Sequence, residues 1–211
     1  YSTDGESFNN YTAETEVPIG VGDKVYFKWS DVIGKYSISA NNIVNSNVKY
    51  KVYGELKKGN DSESYCYMFI HESNLIDASQ LKLTSTILGS KCYQAMFHSC
   101  TNLKSTPATL PATTTAGSCY AYMFYNCSSL TQAVDILPAT TLHGSCYYSM
   151  FGNCSSLTQA PAIYGMNLNY RCCSHMFSGC KALTQAPALN SMNLAEECYL
   201  QMFYNCSSLT Q

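Results

Sequence analysis

Cys119-Tyr-Ala-Tyr-Met123-Phe-Tyr-Asn-Cys127-Ser-Ser-Leu130-Thr-Gln-Ala133 is one copy of a pattern that fills most of the chain. Its Met-Phe pair returns at Met68-Phe69, Met96-Phe97, Met150-Phe151, Met176-Phe177 and Met202-Phe203. The steps between successive methionines are 28, 27, 27, 26 and 26 residues. The surrounding unit reads Cys-Tyr-x-x-Met-Phe-x-x-Cys-x-x-Leu-x-x-Ala-Pro. In the first copy Ser64 and Glu72 stand at the cysteine positions, and the last copy runs to Gln211. A fixed period of this length marks an array of similar units.

Each unit divides in two. In the first half, Cys, Met, Phe and Cys fall at i, i+4, i+5 and i+8, the spacing of one helix face rather than the alternation of a strand. The pattern predicts a helix of about two turns. Ser90, Ser118 and Ser145 are candidate caps at its start. Asn126, Asn153, Gly179 and Asn205, just before the second cysteine, suit a left-handed ending. In the second half, Leu-Thr-Gln-Ala-Pro predicts a very short strand beginning near Leu103, Leu130, Leu157 and Leu183. Pro107, Pro161 and Pro187 end the pairing, because proline has no N–H to donate. Pro111 and Pro138 punctuate a return loop.

One unit is too small to fold alone. About five large side chains contribute roughly 1.5–3 kcal/mol each, against about 1–2 kcal/mol of backbone entropy for each ordered residue. Only stacking closes that gap. The expectation is therefore an α/β fold. It is a right-handed leucine-rich-repeat solenoid with one short strand and one short helix per unit, strands on the concave side and helices on the convex.

The run Cys-Tyr-x-x-Met-Phe-x-x-Cys-Ser-Ser-Leu-Thr-Gln-Ala-Pro resembles the BspA-type leucine-rich repeats of bacterial surface proteins, notably those of gut Bacteroidetes. Met123-Phe124 and its equivalents match the family's Ala-Phe, Cys127 its cysteine and Leu130 its leucine, while Ala133 stands where isoleucine is usual. The resemblance covers about residues 64–211. It implies an exported or surface-anchored protein with a role in adhesion or protein binding, and implies no catalytic site.

Residues 1–63 lack the repeat. Val25-Tyr-Phe-Lys-Trp29, Tyr36-Ser-Ile-Ser39 and Val48-Lys-Tyr-Lys-Val-Tyr53 read as strands separated by glycine and asparagine. They predict a small β cap or partial β-sandwich ahead of a solenoid over 64–211. An independent module is the alternative, with Tyr26, Trp29 and Tyr36 as a platform for stacking a glycan.

Only 12% of the chain is charged, about half the usual share. The net charge is -2, with no basic run. This argues against nucleic acid or an anionic membrane as partner. No apolar run is long enough to span a bilayer. The cysteine pairs 92/100, 119/127, 146/154, 172/180 and 198/206 lie about 12 Å apart on the expected helix, beyond disulfide reach. Buried structural thiols are expected, with disulfides between units or a metal as alternatives, and Cys66 and Cys173 fall off the pattern. No nucleophile stands beside a base, and the histidines His71, His98, His143 and His175 occupy different positions in their units. Neither catalytic site, metal nor cofactor is expected. Lys104, Thr131, Gln132, Thr158, Gln159, Thr184 and Gln185 should stack into an exposed polar strip on the strand side. Tyr93, Tyr120, Tyr147 and Tyr199, with Tyr125 and Tyr204 beyond them, should form a ladder on the other side that suits a protein interface. The functional expectation is a non-catalytic cell-surface binding module for a protein ligand, a host matrix protein or another surface protein. A glycan-binding module and an architectural spacer are the alternatives.

Overall fold

The computed structural model describes residues 50–56, 59–165, 167–191 and 193–210. The units stack in register, and the stacking runs through the backbone on both sides of each unit. The segments predicted as helices carry the denser set of bonds. Among the described residues there is no helix; each of these segments is a train of turns. In Lys91–Ser99 the N–H groups alternate between two tasks. Those of Gln94, Met96 and His98 donate to the carbonyls three residues back, at 3.1–3.3 Å. Those of Lys91, Tyr93, Ala95, Phe97 and Ser99 donate to Gly117, Cys119, Ala121, Met123 and Tyr125 of the next unit, at 2.8–3.0 Å. The same five bonds recur at each of the five junctions between successive units.

The turns explain the backbone conformation. Every fourth residue has a positive φ: Lys91, Ala95 and Ser99 in one unit, Ser118, Tyr122 and Asn126 in the next. A positive φ at the third residue of a four-residue turn is what a type II turn requires. Asn126, Asn153 and Asn205 (φ 61°, 59° and 59°) and Gly179 (φ 78°) are left-handed, as their residue types suggested. The serines expected to cap helices have another role: Ser118 and Ser145 are left-handed (φ 56° and 57°), and the Ser90 hydroxyl donates to the Gly117 carbonyl at 3.0 Å. The turn train puts two residues in and two out. Cys92, Tyr93, Met96, Phe97 and Cys100 are buried, while Gln94, His98 and Ser99 are half-buried.

Strand pairing is parallel and short. Strand β1 (Tyr50–Leu56) pairs with β2 (Leu75–Leu83), so the end of the segment read as a cap adds a rung to the stack. The expected strands near Leu103 and Leu130 are single bridges, Asp77 to Ser105 and Ser105 to Gln132. Named strands fall instead in the stretch read as a return loop. Strand β3 (Ile136–Leu137) pairs with β5 (Ala162–Ile163), and β4 (Thr141–Leu142) with β6 (Asn167–Leu168). A second bridge column links Ile87, Thr114 and Thr141, and another bridge joins Asn167 to Asn193. Buried Leu110, Leu137 and Ile163 make this loop part of the core, so its backbone has to be paired.

Equivalent side chains form columns through the core. Phe69, Phe97, Phe124, Phe151, Phe177 and Phe203 stack face to face at 5.3–5.7 Å. Tyr65, Tyr93, Tyr120 and Tyr147 stack at 5.6–5.8 Å. Each second cysteine donates its thiol to a phenylalanine carbonyl of the preceding unit: Cys127 to Phe97, Cys154 to Phe124 and Cys180 to Phe151, all at 3.1 Å. A thiol fills a small slot and supplies a weak donor there.

Candidate functional site

The outward positions of the turn trains bring together an aromatic seam. His71 and His98 meet edge to face at 5.5 Å, and His98 stacks on Tyr125 at 5.1 Å. Tyr125 packs against Tyr122 at 5.6 Å, Tyr122 against Tyr148 at 5.2 Å, and Tyr148 against His175 at 5.7 Å. These residues come from five successive units and cross the face as one continuous path. His71 is exposed and the other five are half-buried.

The backbone fixes where these rings sit. Tyr122 and His175 are at the middle left-handed position of their turn trains and His71 is at the last one. Tyr125 lies over Gly152, where an added Cβ would come within 2.8 Å of the ring. Asn153 Nδ2 donates to the Tyr125 hydroxyl at 3.0 Å, and the Ser99 hydroxyl is 3.0 Å from His98 Nδ1. Partial burial and then the neighbouring His71 hold the His98 imidazole below its ordinary pKa. Partial burial, followed by Tyr148, pushes the Tyr122 phenol up to about 12. Both shifts favour the uncharged forms of His98 and Tyr122. Beyond its Tyr148–His175 end, Arg171 lies over the Tyr170 ring at 4.9 Å and pairs with Glu197.

The structure redistributes the tyrosines named from sequence. Tyr93, Tyr120 and Tyr147 are buried at 0–1% exposure and present nothing to a partner, because they occupy an inward position of the turn train. Tyr199 and Tyr125 are half-buried and Tyr204 is exposed. The seam members Tyr122, Tyr148, His98 and His175 did not stand out as a group, because they fall in three different columns of the repeat. Aligning the units on Met-Phe and reading only the outward columns collects them.

Lys104, Thr131, Gln132, Thr158, Gln159, Thr184 and Gln185 are all exposed. The N–H groups of Thr131 and Gln132 both donate to the Lys104 carbonyl, at 3.3 and 3.4 Å, so this strip is backbone-bonded across units. The residues Tyr26, Trp29 and Tyr36, with the strands Val25–Trp29 and Tyr36–Ser39, lie outside the described residues. All twelve cysteines are free thiols; Cys66 is half-buried, and Cys173 is fully buried with its sulfur 3.9 Å from that of Cys172. Among the described residues no three of His, Cys, Asp and Glu are placed to hold a metal ion, and no helix is long and apolar enough to cross a membrane.

Comparison with known protein families, with curated proteins and with solved structures finds no match to this chain.

Proposed function

We propose that this chain is a non-catalytic binding module of the BspA type. It is a right-handed leucine-rich-repeat solenoid whose outer wall is built of turns instead of helices, exported to a bacterial cell surface, and it recognises a protein ligand. The observation that carries the reading is the seam from His71 to His175. Tyrosine offers large, rigid contact area at low entropic cost, while serine and asparagine add adaptable hydrogen bonds. The seam combines those types on a backbone pinned by interunit bonds, and it contains none of the lysine or arginine that a nucleic-acid surface needs. Its rings also stack on one another, as in the His98–Tyr125 pair. That uses up ring faces a sugar would occupy and leaves edges and hydroxyls for a protein.

The test is a binding screen of the immobilised protein against fibronectin, laminin, collagen and a set of polysaccharides. The expected result is binding of a protein. The double substitution Tyr122→Ala and Tyr148→Ala should weaken it about tenfold or more, the loss typical of central aromatic contacts, with the near-ultraviolet circular dichroism otherwise retained. Binding of polysaccharides alone, or protein binding indifferent to both substitutions, would refute the assignment.

A further inference from the structure

His71 and His98 fall in different columns of the repeat, yet the fold brings them side by side. The His71 N–H donates to the His98 carbonyl at 2.8 Å. The two residues are thus paired across the junction, like opposite residues of neighbouring strands. Their ring centroids are 5.5 Å apart, with the planes at 81°. Two imidazoles bound to one ion through nitrogen, at about 2.0–2.1 Å each, set their ring centres about 5 Å apart at a tetrahedral angle. The rings therefore have to turn, but not to approach. His71 is exposed and has room to turn. His98 is held in place: it stacks on Tyr125 at 5.1 Å, and the Ser99 hydroxyl is 3.0 Å from its Nδ1. The Asn126 amide donates to the same hydroxyl at 3.3 Å. With Ser99 Oγ also accepting from Nδ1–H, the lone pair of His98 sits on Nε2. A ring nitrogen oriented by a hydrogen bond at the other one is the usual arrangement of a metal-binding histidine.

We infer that His71 and His98 form a two-histidine site for a divalent transition-metal ion of the zinc, nickel and copper class. The donors are imidazole nitrogens, which suit those ions rather than calcium or magnesium. Burial and then His71 favour the neutral form of His98, and only a neutral ring has a lone pair to give. Glu72, the acid next in sequence, is buried at 5% exposure beside Cys100. Among the described residues no third side chain completes the set, so water fills the other positions. The ion ties two successive units together at the surface and keeps an open side. The other two histidines are placed differently. His143 lies by the Thr115 hydroxyl and His175 against Tyr148, neither beside a second histidine among the described residues. The inference stands apart from the protein ligand proposed above.

The probe is zinc chloride, added to untagged protein freed of metal on a chelating resin, with the histidine ring signals followed by NMR. Near neutral pH the His71 and His98 signals should shift together and saturate at one equivalent, while those of His143 and His175 stay. Copper(II) should bind more tightly than zinc. Ser99→Ala should weaken zinc binding about tenfold, the lower end of what losing an orienting partner costs. His71→Asn, which keeps a residue tolerant of the left-handed φ of 64°, and His98→Gln should each cost more than that. His143→Ala should cost nothing, and the amide spectrum of each variant checks that it is folded. No shift of either ring at millimolar zinc would overturn the inference. So would affinity that survives His71→Asn, since a single imidazole would then be the ligand. Equal shifts at all four histidines, the mark of adventitious binding, would overturn it too.

Discussion

Tyr120 and Tyr147 bury their hydroxyls without a hydrogen-bond partner, and the repeat shows why. Eight residues before the tyrosine column stand Ser85, Ala112, Ala139, Gly165 and Ser191. Where serine is present the phenol has company: the Tyr199 hydroxyl donates to Ser191 Oγ at 3.1 Å. Tyr93 is intermediate, with Ser85 near enough to oppose the rise that burial imposes on its phenol pKa but outside hydrogen-bond geometry. Tyr120 and Tyr147 have only alanine at that place. Column position 173 resolves the matter differently: cysteine replaces tyrosine, and Leu142 packs so close to Gly165 that an added Cβ there would lie 2.6 Å from it. A buried hydroxyl left unpaired costs about 1–3 kcal/mol. Tyr147→Phe should therefore leave stability unchanged or raise it by up to about 1 kcal/mol. Tyr199→Phe should lower it by about 0.5–1.5 kcal/mol, and Ala139→Ser should raise it by a similar amount. Urea midpoints of the three variants decide; a clear loss in Tyr147→Phe would mean that its hydroxyl is hydrogen-bonded after all.

The turn train is the element that the sequence concealed. Its buried residues repeat every four positions, and a helix repeats every 3.6. Over the nine residues from Cys119 to Cys127 the two periods part by only about a fifth of a turn, so the i, i+4, i+5, i+8 spacing fits both. Each train is too short for periodicity to decide. Legible, and correctly read, were the repeat itself, the inward direction of Met, Phe and both cysteines, and the left-handed residue before the second cysteine. The pairing in the return loop was obscured by Pro111 and Pro138, which read as punctuation. In the structure, Leu137 and Leu142 on either side of Pro138 pair with Ile163 and Leu168. The aromatic seam escaped because a column-by-column reading looks for identical residues, and His98, Tyr122 and Tyr148 share a face without sharing a column. The turn train makes a prediction at Asn126 (φ 61°). A β-branched residue pays roughly 1–2 kcal/mol in the left-handed region, a cost asparagine largely escapes. Asn126→Val should destabilise by about that much, while Asn126→Gly should be nearly neutral. In a helix the order would reverse, because glycine is the poorer helix former. Thermal unfolding of the two variants, with a far-ultraviolet circular dichroism spectrum that lacks a helical double minimum, distinguishes the two structures.

At the scale of the molecule, columns make the protein's chemistry collective. The turn trains stack through hydrogen bonds of β-sheet length, so the outer wall does not fan out as packed helices would. Neighbouring cysteines of a column then lie about as far apart as adjacent strands, roughly 4.8 Å, within the Cα range a disulfide accepts. Reach alone therefore does not keep them reduced; burial does. It pushes the Cys119 thiol up to about 12 from its ordinary 9.0. It raises Cys92, Cys100, Cys127, Cys146, Cys154 and Cys180 as well. The thiolate is the reactive form, so these seven are inert while the fold is closed. The same shifts set the alkaline limit of stability. Below about pH 8 each thiol is protonated in both the folded and the unfolded chain and contributes no pH dependence. Above pH 9 the unfolded chain gives up the proton and the folded one keeps it. The unfolded state then binds fewer protons, and stability falls by about 1.4 kcal/mol per pH unit for each such thiol. Seven acting together lose about 10 kcal/mol per unit, comparable to the whole stability of an ordinary domain at about 5–15 kcal/mol. Unfolding free energy should be level from about pH 7 to 8 and should collapse between about pH 9 and 10.5, with thiols becoming reactive to Ellman's reagent in the same cooperative step. A protein still folded at about pH 11 would show that these thiols are solvated, or already joined in disulfides along the column.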